Sequence, residues 1–109
     1  MTNSLIRLYD AVSERRTADP GTSRTAKLFA AGRKKIAQKV GEEAVEVAIE
    51  AVTEHRQGVI EESADLLYNL TVLWVDLGIQ PDDVFQEIER REQVYGIAEK
   101  LPKKREGGP

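Results

Sequence analysis

Glu42-Glu43-x-x-Glu46 and, further along, Glu62-x-x-Asp65 place five acids in two short runs. Residues three or four apart share one face of a helix, so each run sets two carboxylates one turn apart on an otherwise apolar segment. Carboxylates drawn together beside a core cannot all stay ionised unless a cation stands between them. Oxygen-only ligand sets of this kind suit Mg²⁺ or Mn²⁺ rather than zinc. The chemistry they point to is metal-assisted cleavage of a phosphate bond.

A helix turns about 100° per residue. From Arg33 onward, Ile36, Val40, Ala44, Val47 and Ala51 then form an apolar stripe, with Glu43, Glu46, Glu50 and Lys39 along one edge. Glu42 projects further round, so Glu43 and Glu46 are the expected inner pair. On the next apolar segment Glu62, Asp65, Asn69 and Asp76 share one narrow stripe. Acids on an amphipathic helix are commonly a solvated face, but such a face mixes signs, and this stripe holds no Lys or Arg. The repeated i, i+3 spacing is also the one that carboxylate metal sites in helix bundles use. Arg33, Lys34 and Lys35, with Lys39, are either an ordinary solvated helix start or the cations that hold a polyphosphate. For Lys39 the simpler role is an ion pair with Glu43. His55, the single histidine, is expected at an exposed helix corner, and Tyr68 and Trp74 in the core.

These residues need helices to position them. Leu5, Ile6, Leu8, Tyr9 and Val12 predict a first helix over about Ser4 to Arg16, broken by Asp19-Pro20-Gly21. Ser23 or Thr25 could cap a short segment containing Leu28 and Phe29. A long helix follows from about Arg33 to Glu54, a corner at His55-Arg56-Gln57-Gly58, and a strongly apolar helix from about Val59 to Leu77. Gly78 fits the left-handed position that ends it. Pro81, Asp82 and Asp83 open a further helix. The expected architecture is all-α with four main helices in a single domain over residues 1–99, followed by a basic, mobile tail over 100–109. A helix as apolar as the third main one belongs at the centre or in a subunit interface.

Composition narrows the partners. A chain of 109 residues fits one domain. A net charge of −3 speaks against nucleic acid as the main partner. Without cysteine there is no disulfide or thiolate chemistry, which suits a cytoplasmic location. Leu66 to Val75, the longest apolar-rich run, is too short to span a membrane.

The stretch from Ser23 to Asp76 resembles the phosphoribosyl-ATP pyrophosphohydrolase family, within the MazG-like all-α nucleotide pyrophosphohydrolases. The resemblance rests on Ser23-x-Thr25-Ala26-Lys27-Leu28-Phe29, Gly32, Lys35-Ile36, Lys39-Val40-Gly41-Glu42-Glu43-Ala44-x-Glu46-Val47 and Glu62-x-Ala64-Asp65-Leu66-Leu67-Tyr68. It implies Mg²⁺-dependent hydrolysis of phosphoribosyl-ATP to phosphoribosyl-AMP and pyrophosphate in histidine biosynthesis. Glu43, Glu46, Glu62 and Asp65 would hold the metal. Glu42 would be a further ligand or orient the attacking water, and Lys39 would contact phosphate. Substrate would meet Ser23, Thr25, Lys27, Arg33, Lys35, Lys39 and Asn69. The resemblance also implies a homodimer. The family usually carries Tyr where Arg24 stands and His where Asn69 stands, which leaves room for a house-cleaning enzyme acting on another nucleoside triphosphate. A helical dimer that only binds partners is the non-enzymatic alternative.

Overall fold

The computed structural model describes residues 3–95; the basic tail expected over 100–109 lies outside them. Those residues form five helices and no strand: α1 (Ser4–Glu14), α2 (Arg24–Ala31), α3 (Arg33–Val52), α4 (Arg56–Leu77) and α5 (Pro81–Tyr95). The chain divides between Ile79 and Gln80 into two compact units. The first holds α1–α4.

Local chemistry sets each boundary. Asn3 caps α1, its Oδ1 accepting from the Leu5 N–H at 2.7 Å. The helix ends two residues earlier than its apolar period predicts, because Arg15 and Arg16 turn back to the carbonyls of Val12 and Ser13, the tightened last turn common at helix ends. Arg16 then leaves α1 to donate to the Val75 carbonyl at 3.1 Å and to lie 5.6 Å from the centre of the Phe29 ring. Ser23, not Thr25, caps α2, with Oγ accepting from the Ala26 N–H. The short segment is thus a helix of its own. Gly32 alone separates α2 from α3, at φ 98° and ψ 167°, a backbone region essentially reserved for glycine.

The α3–α4 corner is tighter than expected. Thr53, Glu54 and His55 make it, with Glu54 at φ 58°. Gln57 and Gly58 belong to the first turn of α4, since the Val59 N–H already bonds to the His55 carbonyl. His55 Nδ1 lies 2.7 Å from Glu50 Oε2, and a Cβ at Gly58 would collide with that carboxylate. At the other end of α4, Gly78 is left-handed at φ 73° and the Ile79 N–H reaches back to the Trp74 carbonyl, closing the helix as the sequence predicts.

Cross-contacts descend one helix as they climb the other: Arg33 with Asp76, Glu43 with Glu62 and Asp65, Glu50 beside Gly58. The two long helices therefore form an antiparallel hairpin. Its open end carries the core, where Tyr9 and Val12 of α1, Ile36 of α3 and Val72 and Val75 of α4 are buried together. Each such fully buried aliphatic side chain contributes about 1.5–3 kcal/mol. Towards the corner the hairpin is bare: Val45, Ile49 and Val52 of α3 and Ile60 and Leu67 of α4 are exposed. Only the C-terminal half of α4 is central within the monomer.

The second unit contains α5, whose Asp83 carboxylate accepts from the Gln80 N–H at 2.8 Å. Glu87 bonds Arg90 and Arg91 on the next turn, and these hydrogen bonds hold its carboxyl down to about 2.

Candidate metal and phosphate site

The site lies midway along the hairpin, where the covered half meets the bare half. Glu43 of α3 faces Glu62 and Asp65 of α4, and carboxylate oxygens of the three come within 4.8 Å of one another. Glu43 and Glu62 are half-buried and Asp65 is exposed. The crowding appears in the acidity of Glu62, pushed up from an ordinary 4.5 to about 7. The largest cause is a hydrogen bond with Glu43; burial and the charges of Glu43, Asp65 and Glu46 follow. A proton here occupies the place that the electrostatics would grant to a cation. The residues thus fit a hard divalent ion: oxygen ligands, converging charge and open access on one side.

Glu46, expected as the fourth ligand, is not in this group. It is exposed, yet near enough for its charge to raise Glu62. Glu42 is also outside it. Its carboxylate accepts from Gln38 Nε2 at 2.8 Å and sits 3.4 Å from Lys39 Nζ. The Gln38 bond first, and Lys39 and Lys35 after it, keep Glu42 below the usual carboxylate range. Lys39 Nζ is also 3.8 Å from Glu43, so the ion pair expected between them forms, shared with Glu42.

A cleft of about 400 Å³ opens beside the cluster. Glu43 and Asp65 line it together with Lys35 and Lys39 of α3, Arg24, Lys27, Leu28 and Ala31 of α2, and Tyr68 and Asn69 of α4. Acids from the carboxylate cluster and four cations therefore line one hollow. Lysine in the first turn of a helix is unfavourable against the helix dipole, so Lys35 stands where an anionic ligand would repay its placement. Thr25 does not line this cleft; its Oγ1 lies 2.6 Å from the Tyr68 hydroxyl and ties α2 to α4. Ser23 lines a neighbouring hollow with Arg24 and Lys27. Arg33 is drawn away, its Nε donating to Asp76 at 2.7 Å. The acidic stripe of α4 thus divides: Glu62 and Asp65 serve the cluster, Asn69 the cleft and Asp76 the hairpin's end.

Arg24, Leu28, Ala31 and Tyr68 join the site without having been singled out for it. With Lys27, the three α2 residues follow the spacing i, i+3, i+4, i+7 from Arg24, a single helix stripe that is legible once the helix is known to start there.

A model of the phosphoribosyl-ATP pyrophosphohydrolase family matches residues 5–92. The chain belongs to this family. Among similar proteins, a phosphoribosyl-ATP pyrophosphatase 2 of Rhodopseudomonas palustris is 60% identical over 109 residues, covering 100% of this chain and 83% of the relative. A phosphoribosyl-ATP pyrophosphatase 2 of Bradyrhizobium diazoefficiens is 58% identical over 94% of this chain and 77% of its own length. The phosphoribosyl-ATP pyrophosphatase of Gluconobacter oxydans is 57% identical over the same shares. For this family member, the Glu42 to Asp65 span falls wholly within the matched residues.

Proposed function

We propose that the cleft binds phosphoribosyl-ATP with its phosphates towards the acidic cluster, and that a divalent cation, Mg²⁺ or Mn²⁺, is held by Glu43, Glu62 and Asp65 with Glu46 beside them. The chain is a hydrolase of histidine biosynthesis that converts phosphoribosyl-ATP to phosphoribosyl-AMP and pyrophosphate by cutting the α–β phosphoanhydride. The observation that carries the reading is the charge pattern of the cleft. Three carboxylates within 4.8 Å would repel a polyphosphate, whereas Arg24, Lys27, Lys35 and Lys39 along the same hollow attract it. When bound, the cation supplies neutralisation of phosphate charge and a lowered pKa for water. Lys39 holds a phosphate oxygen and keeps Glu42 and Glu43 from repelling it. Glu42, whose carboxyl is held below its usual range, stays ionised and orients the attacking water as a hydrogen-bond acceptor.

Assays of pyrophosphate release test this. Glu43→Gln, Glu46→Gln, Glu62→Gln and Asp65→Asn should each lose turnover while remaining folded by circular dichroism. Wild-type rates in Glu43→Gln or Asp65→Asn reject the assignment. A second reading, hydrolysis of another nucleoside triphosphate, is favoured by one observation: Asn69 lines the cleft where the family usually carries histidine. A nucleotide panel run beside phosphoribosyl-ATP separates the two.

The exposed apolar side chains of Val45, Ile49 and Val52 on α3 and of Ile60 and Leu67 on α4 support pairing with a second copy of the chain. Such pairing would give the homodimer of the MazG-like type and cover these side chains.

A further inference from the structure

Asn69 is buried, at 4% exposure, and lines the cleft. Its Nδ2 donates to the Asp65 carbonyl at 2.9 Å. A carbonyl only accepts, so this bond fixes which end of the amide faces Asp65 and leaves Oδ1 on the other side. That Oδ1 is buried and has no hydrogen-bond partner among the described residues. Thr71, the other buried polar side chain, makes the same bond one turn back, to the Leu67 carbonyl at 2.7 Å, through its single hydroxyl. The contrast matters, because a threonine-like back-bond satisfies the helix without leaving a buried acceptor over. Buried acceptors are nearly always paired in folded proteins. The polar partner that completes this one is not supplied by the described part of the chain.

We propose that Asn69 is a specificity-determining residue whose Oδ1 accepts a hydrogen bond from an uncharged N–H or O–H donor on the nucleoside part of the bound nucleotide. The inference rests on the cleft being the nucleotide site. At neutral pH a polyphosphate presents acceptors, so it cannot pair with Oδ1. The donors of an adenine nucleotide are the exocyclic nitrogen of its base and its ribose hydroxyls. Leu28, Ala31 and Tyr68 give the cleft apolar surface suited to a base or sugar, while the cations take the phosphates. A site built around a buried hydrogen-bonding group rejects an analogue that lacks the matching donor, since the group is then left unpaired.

The test is calorimetric binding in the presence of Mg²⁺ of ATP, purine riboside triphosphate (no exocyclic nitrogen), 2′-deoxy-ATP and 3′-deoxy-ATP. The proteins are wild type and Asn69→Ser, whose hydroxyl can keep the bond to the Asp65 carbonyl. Asn69→Thr is the second variant should the first fold poorly. Wild type should bind one analogue about tenfold more weakly than ATP, and the serine variant should discriminate against that analogue by less than twofold. Weakening of the purine riboside compound names the base as the donor; weakening of a deoxy compound names the ribose. Mg²⁺ alone should bind wild type and variant equally. Equal binding of all four nucleotides by wild type, or discrimination that persists in both variants, overturns the role of Asn69 alone. Mg²⁺ binding that weakens in the variants also overturns it, because the acceptor then serves water around the cation. Phosphoribosyl-ATP is run beside the panel, and failure of wild type to bind it or any of the four overturns the cleft reading and this inference with it.

Discussion

Glu62 holds its proton more tightly because it meets Glu43 at close range, and that has a measurable sign. The Glu62 carboxyl titrates near 7 in the folded protein against an ordinary 4.5. Between those values the native state keeps a proton that the unfolded chain has released. The associated stability is present in full below pH 4.5 and is lost as pH rises through 7. The melting temperature of metal-free protein should therefore fall across that window, and the fall should be smaller in Glu62→Gln. Mg²⁺ should raise the melting temperature more at pH 8 than at pH 6, because it competes with the proton; thermal scans at both values check this. Lys39 belongs to the same scale. Its contacts with Glu42 and Glu43 are long, 3.4 and 3.8 Å, and exposed pairs on a helix contribute only a few tenths of a kcal/mol. A charge-assisted bond to phosphate is worth about 1.5–3 kcal/mol. Lys39→Ala should then lower kcat/KM roughly ten- to a hundredfold with the melting temperature nearly unchanged. Kinetics within twofold of wild type would return Lys39 to the role of an ion pair.

Gly32 decides how α2 stands against α3, and hence where Arg24 and Lys27 lie relative to Lys35 and Lys39. A Cβ there would meet nothing within 4 Å, so the constraint is in the backbone alone, at φ 98°. Forcing another residue into this region costs about 1–3 kcal/mol. Gly32→Ala should lower the melting temperature by at least about 4 °C and reduce turnover as well, because relief of the strain shifts the cationic stripe. Gly78 is a useful control. Its φ of 73° is left-handed helical, which asparagine tolerates, so Gly78→Asn should cost less than Gly32→Asn. Equal losses at the two positions would show that the corner carries no special geometry. The Thr25–Tyr68 bond at 2.6 Å is the other fastening of α2, and it ties Thr25 to a residue that lines the cleft.

At the scale of the molecule, the hairpin buries one end against α1 and α2 and leaves the other uncovered. Val45 at 57% and Val52 at 80% exposure, with Ile49 between them, share one side of α3, and exposed apolar rows of this kind mark association sites. Sedimentation at micromolar concentration should give about twice the 12.2 kDa of the chain. Ile49→Glu, between Val45 and Val52 on that side of α3, should shift the equilibrium towards monomer; a wild-type monomer would refute the pairing. Among the described residues no helix is long and apolar enough to cross a membrane, in keeping with the short apolar run between Leu66 and Val75.

Helix class, the long α3 and α4 segments, the glycine stop after Leu77 and the acids that could carry chemistry were all legible in sequence, because period, caps and spacing are local properties of the chain. The family was legible too, from motifs in a fixed order. Which acids meet was not. Glu43 and Glu46 are equally spaced candidates along one edge of a helix, and only the rotation of α3 against α4 brings Glu43, and not Glu46, within 4.8 Å of both Glu62 and Asp65. The pairing of Arg33 with Asp76 and the turning of Arg24 and Lys27 onto the cleft are likewise settled by contacts between elements. So is the unpaired Oδ1 of Asn69, since burial and the satisfaction of a polar atom depend on every neighbour that packing brings within reach. Sequence names the groups; the crossing of two helices chooses among them, because it decides which carboxylates face one another and which face solvent.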